Sequence, residues 1–420
     1  MNIDPKDTGA VRRQLHAHPE TAFLEIQTAS LIWDLLGGLA WHRQAGQELL
    51  ELSDYEGMPD TCHLTNAVEE ARFHGVSDEN IARFRDGATT IIADLEGIRP
   101  GPRVGLRFDM DALPVEESTE AGHIPNACEF RSVHPGRMHA CGHDGHVAIG
   151  LRLAAQLSEN RDFAGSVRLI FQPAEEGVRG AKPIVDAGFC DDVDILLAVH
   201  LGFGAPKNTV GYATDLFGTS KFETRFEGHS VHASNSPETG RNALLAAAHA
   251  LFALHSLPRF SHAQTRVNVG YLRCEGASNV IPGLAVMRSE IRASTSAAHQ
   301  DLEERALRIF ESAAAINSVQ CVTSRTGYAV ASDSSIELYE TLVTECADHG
   351  FTAFGPHAMY ASDDATLMME RVTERGGNAC YLVVGSGDFG PHHSSLFDLD
   401  EEVLPRASDL LESFIRSQRQ

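Results

Sequence analysis

Short apolar runs alternate with helical stretches along most of this chain, and this alternation restricts the fold more than any other feature. The apolar runs have the length and bounds of buried strands and lie at Thr90–Leu95, Val104–Phe108, Val167–Phe171 and Ile195–Val199, and the sequence YLVVGSG predicts a further strand near the end of the chain. Stretches with apolar residues at helical spacing lie around them, at residues 25–39, 146–158, 178–188, 335–348 and 404–417. The pattern predicts an α/β fold in which a mixed, mainly parallel sheet lies between helices.

A different pattern begins near residue 219 and indicates an inserted domain. The sequence KFETRFEG alternates like a half-exposed strand, and further strands and helices follow it at residues 241–256, 267–276, 286–294 and 297–316. The order strand, helix, strand, strand, helix, strand is that of a ferredoxin-like α+β domain. We therefore predict an inserted domain at residues 218–331, and a catalytic domain formed by residues 1–217 and 332–420.

Composition excludes several classes of function. The 420 residues carry a formal net charge of -24, which argues against binding to nucleic acids or to anionic membranes. The sequence has no long apolar run that would span a membrane and no apolar stretch at its start, so the expected location is the cytoplasm. The eight cysteines are scattered and form no CxxC pair, so we do not expect a disulfide framework.

The sequence Met-His-Ala-Cys-Gly-His-Asp-Gly-His at residues 138–146 is the strongest chemical signal. Cys141 and His143 are two positions apart, and thiolate and imidazole are both good ligands for zinc-like metals. Asp144 is placed to accept a proton from a ligand histidine and so to fix its ring. The alternative is a histidine-rich loop without a metal.

Further polar residues follow buried strands, where α/β sheets place their sites. Glu175 and Glu176 come after one strand, and such a pair allows one carboxylate to bind a metal while the other acts as a general base. His200 ends the next run, although a lone histidine there is more often satisfied by hydrogen bonds. Two other candidates are the pair His392–His393 and the segment RFDMDALP at 107–114.

The inserted domain supplies three weaker candidates. His232 stands among small residues in the sequence GHSVHA, and Asn279 and Arg292 are suited to binding a carboxylate.

Two other features belong to the larger domain. His16 and His18 lie just before Pro19, and we interpret both as structural. The polar segment 43–88 is too long for a plain connector, so we expect a helix of its own at 66–74 and a position over the site.

In combination, these motifs resemble the aminoacylase and carboxypeptidase G type of metallopeptidases, in the amidohydrolase branch that includes auxin-conjugate and hippurate hydrolases. The resemblance runs over nearly the whole chain, from RRQLHAHPE through DMDALP, HACGHDGH and FQPAEEG to HHSSLF. It implies an inserted domain that serves in dimerisation or as a lid. Within this branch, the segment GMPDTCHLTNAVEEARFHG and residues 360–369 favour hydrolases of p-aminobenzoyl-glutamate.

The resemblance also implies a role for each motif. The implied metal ligands are Cys141, His143, Glu176, His200 and His393. Glu175 matches the catalytic base, His232 matches a histidine that enters the site of the neighbouring protomer, and Asn279 and Arg292 match contacts to the substrate carboxylate. Distant relatives have a metal-binding histidine where this chain has Arg107, so Asp109 is expected to support the ligands rather than to bind a metal.

We therefore expect a metal-dependent hydrolase that cleaves an N-acyl amino acid, with p-aminobenzoyl-glutamate as the expected substrate and two divalent ions, Mn or Zn, in each protomer. Two alternatives remain open. One is a broader hydrolase of the hippurate or indoleacetyl-amino acid type, and the other is a non-catalytic partner of such a hydrolase. The expected assembly is a homodimer or a heterodimer with a related B subunit.

Overall fold

The computed structural model describes residues 3–50, 52, 57–387 and 389–419. These residues form two compact units. The first contains residues 1–214, 333–359 and 367–420, and the second contains residues 215–332 and 360–366. Among the described residues, no helix is long and apolar enough to cross a membrane.

The α-helices are given first, in chain order: α1 (Thr8–Ala17), α2 (Ile26–Gly37), α3 (Thr61–Phe73), α4 (Asp78–Phe84), α5 (Ile124–Ala127), α6 (His143–Glu159), α7 (Ala181–Asp186), α8 (Ala243–His255), α9 (Ser296–Ile316), α10 (Ile336–Cys346), α11 (Ala365–Glu374) and α12 (Val403–Ser417). The strands are β1 (His42–Ala45), β2 (Ile91–Glu96), β3 (Arg99–Asp109), β4 (Ala164–Gln172), β5 (Ile195–Leu201), β6 (Thr209–Thr214), β7 (Gly218–Glu227), β8 (Val231–His232), β9 (Thr265–Arg273), β10 (Val280–Ile281), β11 (Leu284–Ala293), β12 (Gln320–Ala329), β13 (Thr352–Ala358) and β14 (Asn378–Val384).

The first unit is built on one mixed sheet, as the sequence predicts. Its strand order is β1-β2-β4-β3-β5-β14-β6-β13. The four central strands, β4, β3, β5 and β14, run parallel to one another, and β13 is parallel to β6, whereas the other pairs are antiparallel. Because neighbouring parallel strands end at the same edge of a sheet, the residues that follow β3, β4 and β5 meet there.

The buried core of the first unit holds the edge of the sheet at which β3, β4 and β5 end. The central strands carry buried side chains on both faces, with Leu106 and Phe171 on one face and Ile170 and Leu196 on the other, as expected for parallel strands. Helix α6 packs on the sheet and is itself in contact with α1, α2 and α12. Its buried residues include every position from His143 to Leu151. The start of α6 is therefore held in place by packing along the helix.

The second unit has the predicted ferredoxin-like arrangement. Its four-stranded sheet has the order β12-β7-β11-β9, and all of its pairs are antiparallel. Helices α8 and α9 pack on this sheet through a core that includes Phe222, Phe226, Ile291, Leu302 and Phe310. A separate two-stranded ribbon pairs β8 with β10.

The sequence analysis did not identify three strands of the first unit, β1, β6 and β13. Each lacks a continuous apolar run. Strand β13, with the sequence TAFGPHA, lies at the sheet edge, is mostly exposed and contains Gly and Pro, which are typical of edge strands. Strand β1 lies at the other edge, and β6 lies inside the sheet but is interrupted by Gly211, so none of the three shows the pattern on which strand prediction rests.

Candidate metal centre

Three neighbouring parallel strands bring polar residues to one edge of the large sheet. Asp109 ends β3, the pair Glu175–Glu176 follows β4, and His200 lies near the end of β5. Asp109 is level with Gln172 in the parallel register, so the turn after β4 begins beside the turn after β3. The sheet edge therefore gathers side chains that lie far apart in the sequence.

Helix α6 adds Cys141 and His143 to this edge. Gly142 separates them and caps the helix with φ of 92°, a left-handed conformation that other residues rarely adopt. An added Cβ there would also lie 3.4 Å from the side chain of Leu399. The side chains of Cys141 and His143 are both buried.

The imidazole of His143 has the arrangement of a metal ligand. Its Nδ1 donates a hydrogen bond to the backbone carbonyl of Asp111 at 2.8 Å. Its Nε2 is buried and makes no hydrogen bond, although it lies 3.8 Å from carboxylate oxygens of Asp109 and Glu175 and 3.9 Å from one of Glu176. Because an unpaired buried nitrogen is costly, and a ligand histidine is oriented through its other nitrogen, the ring is suited to bind a cation.

Asp111 positions the two glutamates and was not identified from the sequence. Its carboxylate oxygens accept hydrogen bonds from the backbone N–H groups of Glu175 (2.9 Å) and Glu176 (3.1 Å). The preceding residue, Ala174, has φ of 58°, and its N–H donates to the buried carboxylate of Glu25 at 3.0 Å. Left-handed conformations at residues other than glycine concentrate at functional sites, where the surroundings enforce them. The signal available in the sequence was the pair of acids in Asp109-Met110-Asp111, of which Asp111 is the second.

The thiol of Cys141 lies between two histidines. His200 donates from Nδ1 to the carbonyl of Leu201 at 2.9 Å, which leaves Nε2 directed at the Cys141 Sγ atom, 3.6 Å away. On the other side, His392 Nδ1 lies 3.4 Å from the same sulfur. Because His392 Nε2 accepts from the N–H of Phe203 at 2.9 Å, its Nδ1 carries the proton and donates to the sulfur.

His393 faces a different group. Its Nε2 lies 3.3 Å from a carboxylate oxygen of Glu176, and its side chain is 53 % exposed. The candidate ligand atoms of Cys141, Glu176 and His393 all lie within 4.8 Å of one another, as do those of His143, Glu175 and Glu176 and those of Asp109, His143, His146 and His200. These groups overlap at His143 and at Glu176. The first unit thus brings together all five predicted ligands and the predicted base.

His146 is a further residue that the sequence analysis did not single out. It lies one helical turn after His143 on α6, and its Nδ1 donates to Asp109 while its Nε2 accepts from the N–H of Leu201 at 2.9 Å. Asp109 also accepts from the buried guanidinium of Arg107. Asp109 is therefore held on both sides and faces His143, which agrees with a supporting role.

Asp144 was expected to accept a hydrogen bond from a ligand histidine, but its described partners are Arg12 and His16. It accepts from Arg12 Nε at 3.1 Å and from His16 Nδ1 at 2.8 Å. Residues adjacent in a helix point in different directions, so Asp144 cannot turn toward the ring of His143. The Asp111 carbonyl holds that ring instead. His16 bridges Asp144 and Glu117, which is the structural role expected for it.

The electrostatics of the cluster favour a cation. Burial raises the pKa of Glu176 to about 7, and the charges of Asp111 and Asp109 add to this effect while His143 opposes it. Burial lowers the pKa of His143, but Asp109, Asp111 and Glu176 outweigh it and raise the value to about 10. Burial and neighbouring acids raise the pKa of the Cys141 thiol. The raised pKa of His143 indicates that the surrounding acids favour a positive charge at this position, which a divalent ion would also supply.

The second unit holds the predicted substrate contacts. His232 is exposed and pairs with Val280 across the two-stranded ribbon, and the N–H of Ala233 donates to the carbonyl of Asn279 at 2.8 Å. His232 and Asn279 are thus neighbours. The guanidinium of Arg292 donates to both carboxylate oxygens of Glu290, at 3.2 and 3.1 Å, so this arginine already has an acidic partner.

The segment 43–88 contains two helices, α3 and α4, where the sequence predicted one at 66–74. Residues 51 and 53–56 of this segment lie outside the described part of the chain. Arg179, shortly after the paired glutamates, donates to the carbonyl of Gly57. This contact ties the segment to the turn that follows β4. All eight cysteines are free thiols, in agreement with the sequence analysis.

A mixed α/β fold with buried cysteine, histidine and glutamate side chains at its parallel strand ends is compatible with a metal-dependent amidohydrolase. Comparison with known proteins identifies the group within this class. The chain belongs to Peptidase family M20/M25/M40, whose family model matches residues 105–417. It is a hydrolase that acts on amide bonds.

Two relatives are similar to the chain over nearly its full length. The chain is 40% identical to the A chain of the p-aminobenzoyl-glutamate hydrolase of Escherichia coli (strain K12), over 95% of this chain and 93% of the relative. It is also 40% identical to an indole-3-acetyl-aspartic acid hydrolase of Enterobacter agglomerans, over 95% and 93% of the two chains. The names of these two relatives give different acyl groups and different amino acids.

Solved structures agree in fold. An aminobenzoyl-glutamate utilization protein from Klebsiella pneumoniae has a TM-score of 0.83 at 35% identity, covering 97% of this chain and 94% of that one. A Bacillus subtilis protein described as a dinuclear metal-binding peptidase of the M20 family has a TM-score of 0.66 at 25% identity, covering 98% and 97%. These likenesses confirm the predicted fold class.

Proposed function

We propose that this chain hydrolyses the amide bond of p-aminobenzoyl-glutamate, releasing p-aminobenzoate and glutamate, with two divalent metal ions bound at the candidate centre. The observation that carries the proposal is the set of overlapping ligand groups that share His143 and Glu176. Glu176 belongs to two of these groups, and the two oxygens of a carboxylate can contact two neighbouring ions, whereas His143 would bind one ion through its Nε2. The dinuclear Bacillus subtilis relative supports this number of ions.

Cys141, His143, Glu176, His200 and His393 would hold the ions, with Asp109 and His146 supporting them. The free Nε2 of His143 is the clearest fit to a metal. The thiolate of Cys141 favours zinc because sulfur is a soft ligand, whereas the carboxylates are equally suited to manganese. When bound, the ions supply Lewis acidity, which lowers the pKa of a water molecule and polarises the amide carbonyl.

Glu175 would move the proton. Asp111 fixes its backbone, and its side chain is largely buried beside His143. In this position the carboxylate can accept a proton from the attacking water and deliver it to the leaving amide nitrogen. Its neighbour Glu176 also lies near His143, at 3.9 Å, but its other carboxylate oxygen faces His393 at 3.3 Å.

The inserted unit would bind the rest of the substrate. His232, acting in the site of a second copy of the chain, would donate a hydrogen bond to the oxyanion that develops on the carbonyl. Asn279 lies beside it and would contact the glutamate carboxylates. Arg292 would join them only by exchanging its partner Glu290 for a substrate carboxylate.

The complete ligand set argues against a non-catalytic role. A chain that only supports an active partner has no need of Glu175 or of a buried His143 Nε2. The Escherichia coli relative is nevertheless named as one of the chains of a hydrolase, so a heterodimer with a related B subunit is the alternative assembly. A homodimer is the assembly that we propose.

The test is hydrolysis by the purified chain, loaded with Mn²⁺ or Zn²⁺, of p-aminobenzoyl-glutamate, hippurate and indoleacetyl-aspartate side by side. We expect the highest kcat/KM for p-aminobenzoyl-glutamate and none without metal. A preference for indoleacetyl-aspartate would overturn the substrate but keep the mechanism. Activity on none of the three, with two ions bound, would overturn the proposal that this chain is sufficient.

A further inference from the structure

Three histidines meet in the first unit outside the candidate centre. His18, His74 and His134 come from different parts of the chain, and their ring centroids lie 4.8, 5.7 and 5.2 Å apart in pairs. One ring nitrogen of each lies within 4.8 Å of those of the other two. Every pair of rings is arranged edge to face.

His134 is oriented like a metal ligand. It is 8 % exposed, and its Nε2 has no hydrogen-bond partner. Its Nδ1 lies 2.6 Å from the carboxylate of Glu70, which also accepts from Arg137. Burial raises the pKa of Glu70, but these two partners outweigh it and lower the pKa to about 2. An ionised carboxylate on one nitrogen fixes the ring and leaves the lone pair of the other directed into the cluster.

The positions of His18 and His74 also favour a bound cation. His18 is the C-cap of α1 and His74 is the C-cap of α3, so the negative ends of two helix dipoles converge on the cluster. His18 Nδ1 is buried and has no hydrogen-bond partner. Burial and the neighbouring histidines lower the pKa of His18 to about 4, so it is neutral near pH 7, as a metal ligand must be.

We propose that His18, His74 and His134 form a second metal site that binds one Zn²⁺ ion. In a tetrahedral zinc site with Zn–N distances near 2.0–2.1 Å, ligand nitrogens lie roughly 3.3 Å apart, so small ring rotations would complete the site. His18 and His74 also line a cavity of about 280 Å³ that leaves room for a water molecule as fourth ligand. This assignment replaces the purely structural role expected for His18.

Such an ion would join three segments of the first unit. It would link the end of α1, the end of α3 in the long segment 43–88, and the loop that carries His134. The N–H of Val133 already donates to the carbonyl of Ala17 at 2.9 Å, which fixes this loop beside α1. The site is independent of the proposed hydrolysis, since none of its residues belongs to the candidate centre.

The test is a Zn²⁺ titration of the metal-free, full-length chain against a chromophoric chelator, comparing the wild type with His74→Ala. His74 is exposed, so this variant is expected to fold, and thermal melting without metal checks this. We expect the wild type to bind one more ion than His74→Ala. His63→Ala, an exposed histidine on the same helix, is the matched control and should bind as the wild type does. Glu70→Gln should weaken the same ion about 10- to 100-fold.

Cobalt identifies which ion is lost. The difference between the Co²⁺ spectra of the wild type and His74→Ala should lack a sulfur-to-metal charge-transfer band, because the three-histidine site has no thiolate. Equal stoichiometry and affinity in the wild type and His74→Ala would overturn the proposal. A sulfur band in the difference spectrum would also overturn it, since the lost ion would then belong to Cys141.

Discussion

The Sγ atom of Cys141 lies 3.4 Å from Nδ1 of His392, whereas the next residue, His393, faces the carboxylate of Glu176. The two adjacent histidines therefore point to different groups. The left-handed conformation of His393, with φ of 63°, accounts for the divergence. His392 is half-buried and stacks on Phe203, with ring centroids 4.6 Å apart and an interplanar angle of 8°, so it is positioned to support the sulfur.

His392→Phe should weaken metal binding without removing a ligand. The phenyl ring keeps the stacking on Phe203 but loses the N–H donor to Cys141, so we expect affinity for one ion to fall about 10- to 100-fold at unchanged stoichiometry. His393→Phe should instead lose one ion. Chelator competition measures both variants. If His392→Phe loses a whole ion and His393→Phe loses none, the two roles are exchanged.

Glu175→Gln should abolish turnover and leave both ions bound. The amide cannot accept the proton of the attacking water, and general bases of this kind contribute about 10²- to 10⁴-fold to rates. Initial rates and metal content of the same preparation test this, with the exposed Glu120→Gln as the matched control. Wild-type activity in Glu175→Gln would show that another group is the base.

Asp111 should affect catalysis through the backbone of the paired glutamates. Asp111→Ala removes both acceptors, and we expect a loss of about 2–4 kcal/mol in the free energy of unfolding together with a fall in kcat. Asp111→Asn keeps one acceptor oxygen and should be intermediate in both quantities. Urea unfolding and steady-state kinetics measure them. A full kcat in the alanine variant would contradict the positioning role, whatever its stability.

Part of the candidate centre could be grouped from the sequence because Glu176 and His200 lie at the ends of buried strands. A parallel sheet brings such residues together by topology alone, so Glu176 and His200 could be placed without coordinates. Their orientation could not be predicted. Asp111, and not Asp144, holds the ring of His143. This depends on the directions of the side chains at the start of α6, which the amino-acid sequence does not show.

The three-histidine cluster, in contrast, could not be predicted from the sequence. His18, His74 and His134 belong to no common motif, and each follows an irregular or helical stretch rather than a strand. Only the packing of α3 beside the His134 loop brings them together. Tertiary contacts between a long polar segment and a loop leave no periodic signal, so the residues could not be grouped from the sequence.

His16 should make stability depend on pH. Burial lowers its pKa, but hydrogen bonds to Asp144 and Glu117 outweigh burial and raise it above the usual value. A raised pKa means that the folded state binds the proton more tightly, so the stabilisation is full below about pH 6.5 and is lost as pH rises through the folded-state value.

The variant His16→Gln isolates this effect. It should lower the free energy of unfolding by about 3 kcal/mol at pH 6, as expected for removal of one partner from a buried ionic network. The difference from the wild type should shrink toward pH 9. Urea unfolding at several pH values measures it, with the exposed His63→Gln as control. A difference that does not change with pH would mean that His16 is not protonated in the folded chain.

The proposed action of His232 across a dimer can be tested by mixing inactive variants. His232→Gln and Glu175→Gln should each be inactive alone, because every site lacks one of the two residues. A dimer that contains one of each variant has one intact site, in which Glu175 of one protomer meets His232 of the other. Random pairing makes half of the dimers mixed, so the expected recovery is about a quarter of the wild-type activity for a two-fold symmetric dimer. Glu175→Gln mixed with the double variant should recover none, because no site then contains Glu175. The absence of recovery in the first mixture, with dimers present, would mean that His232 does not act in the partner's site.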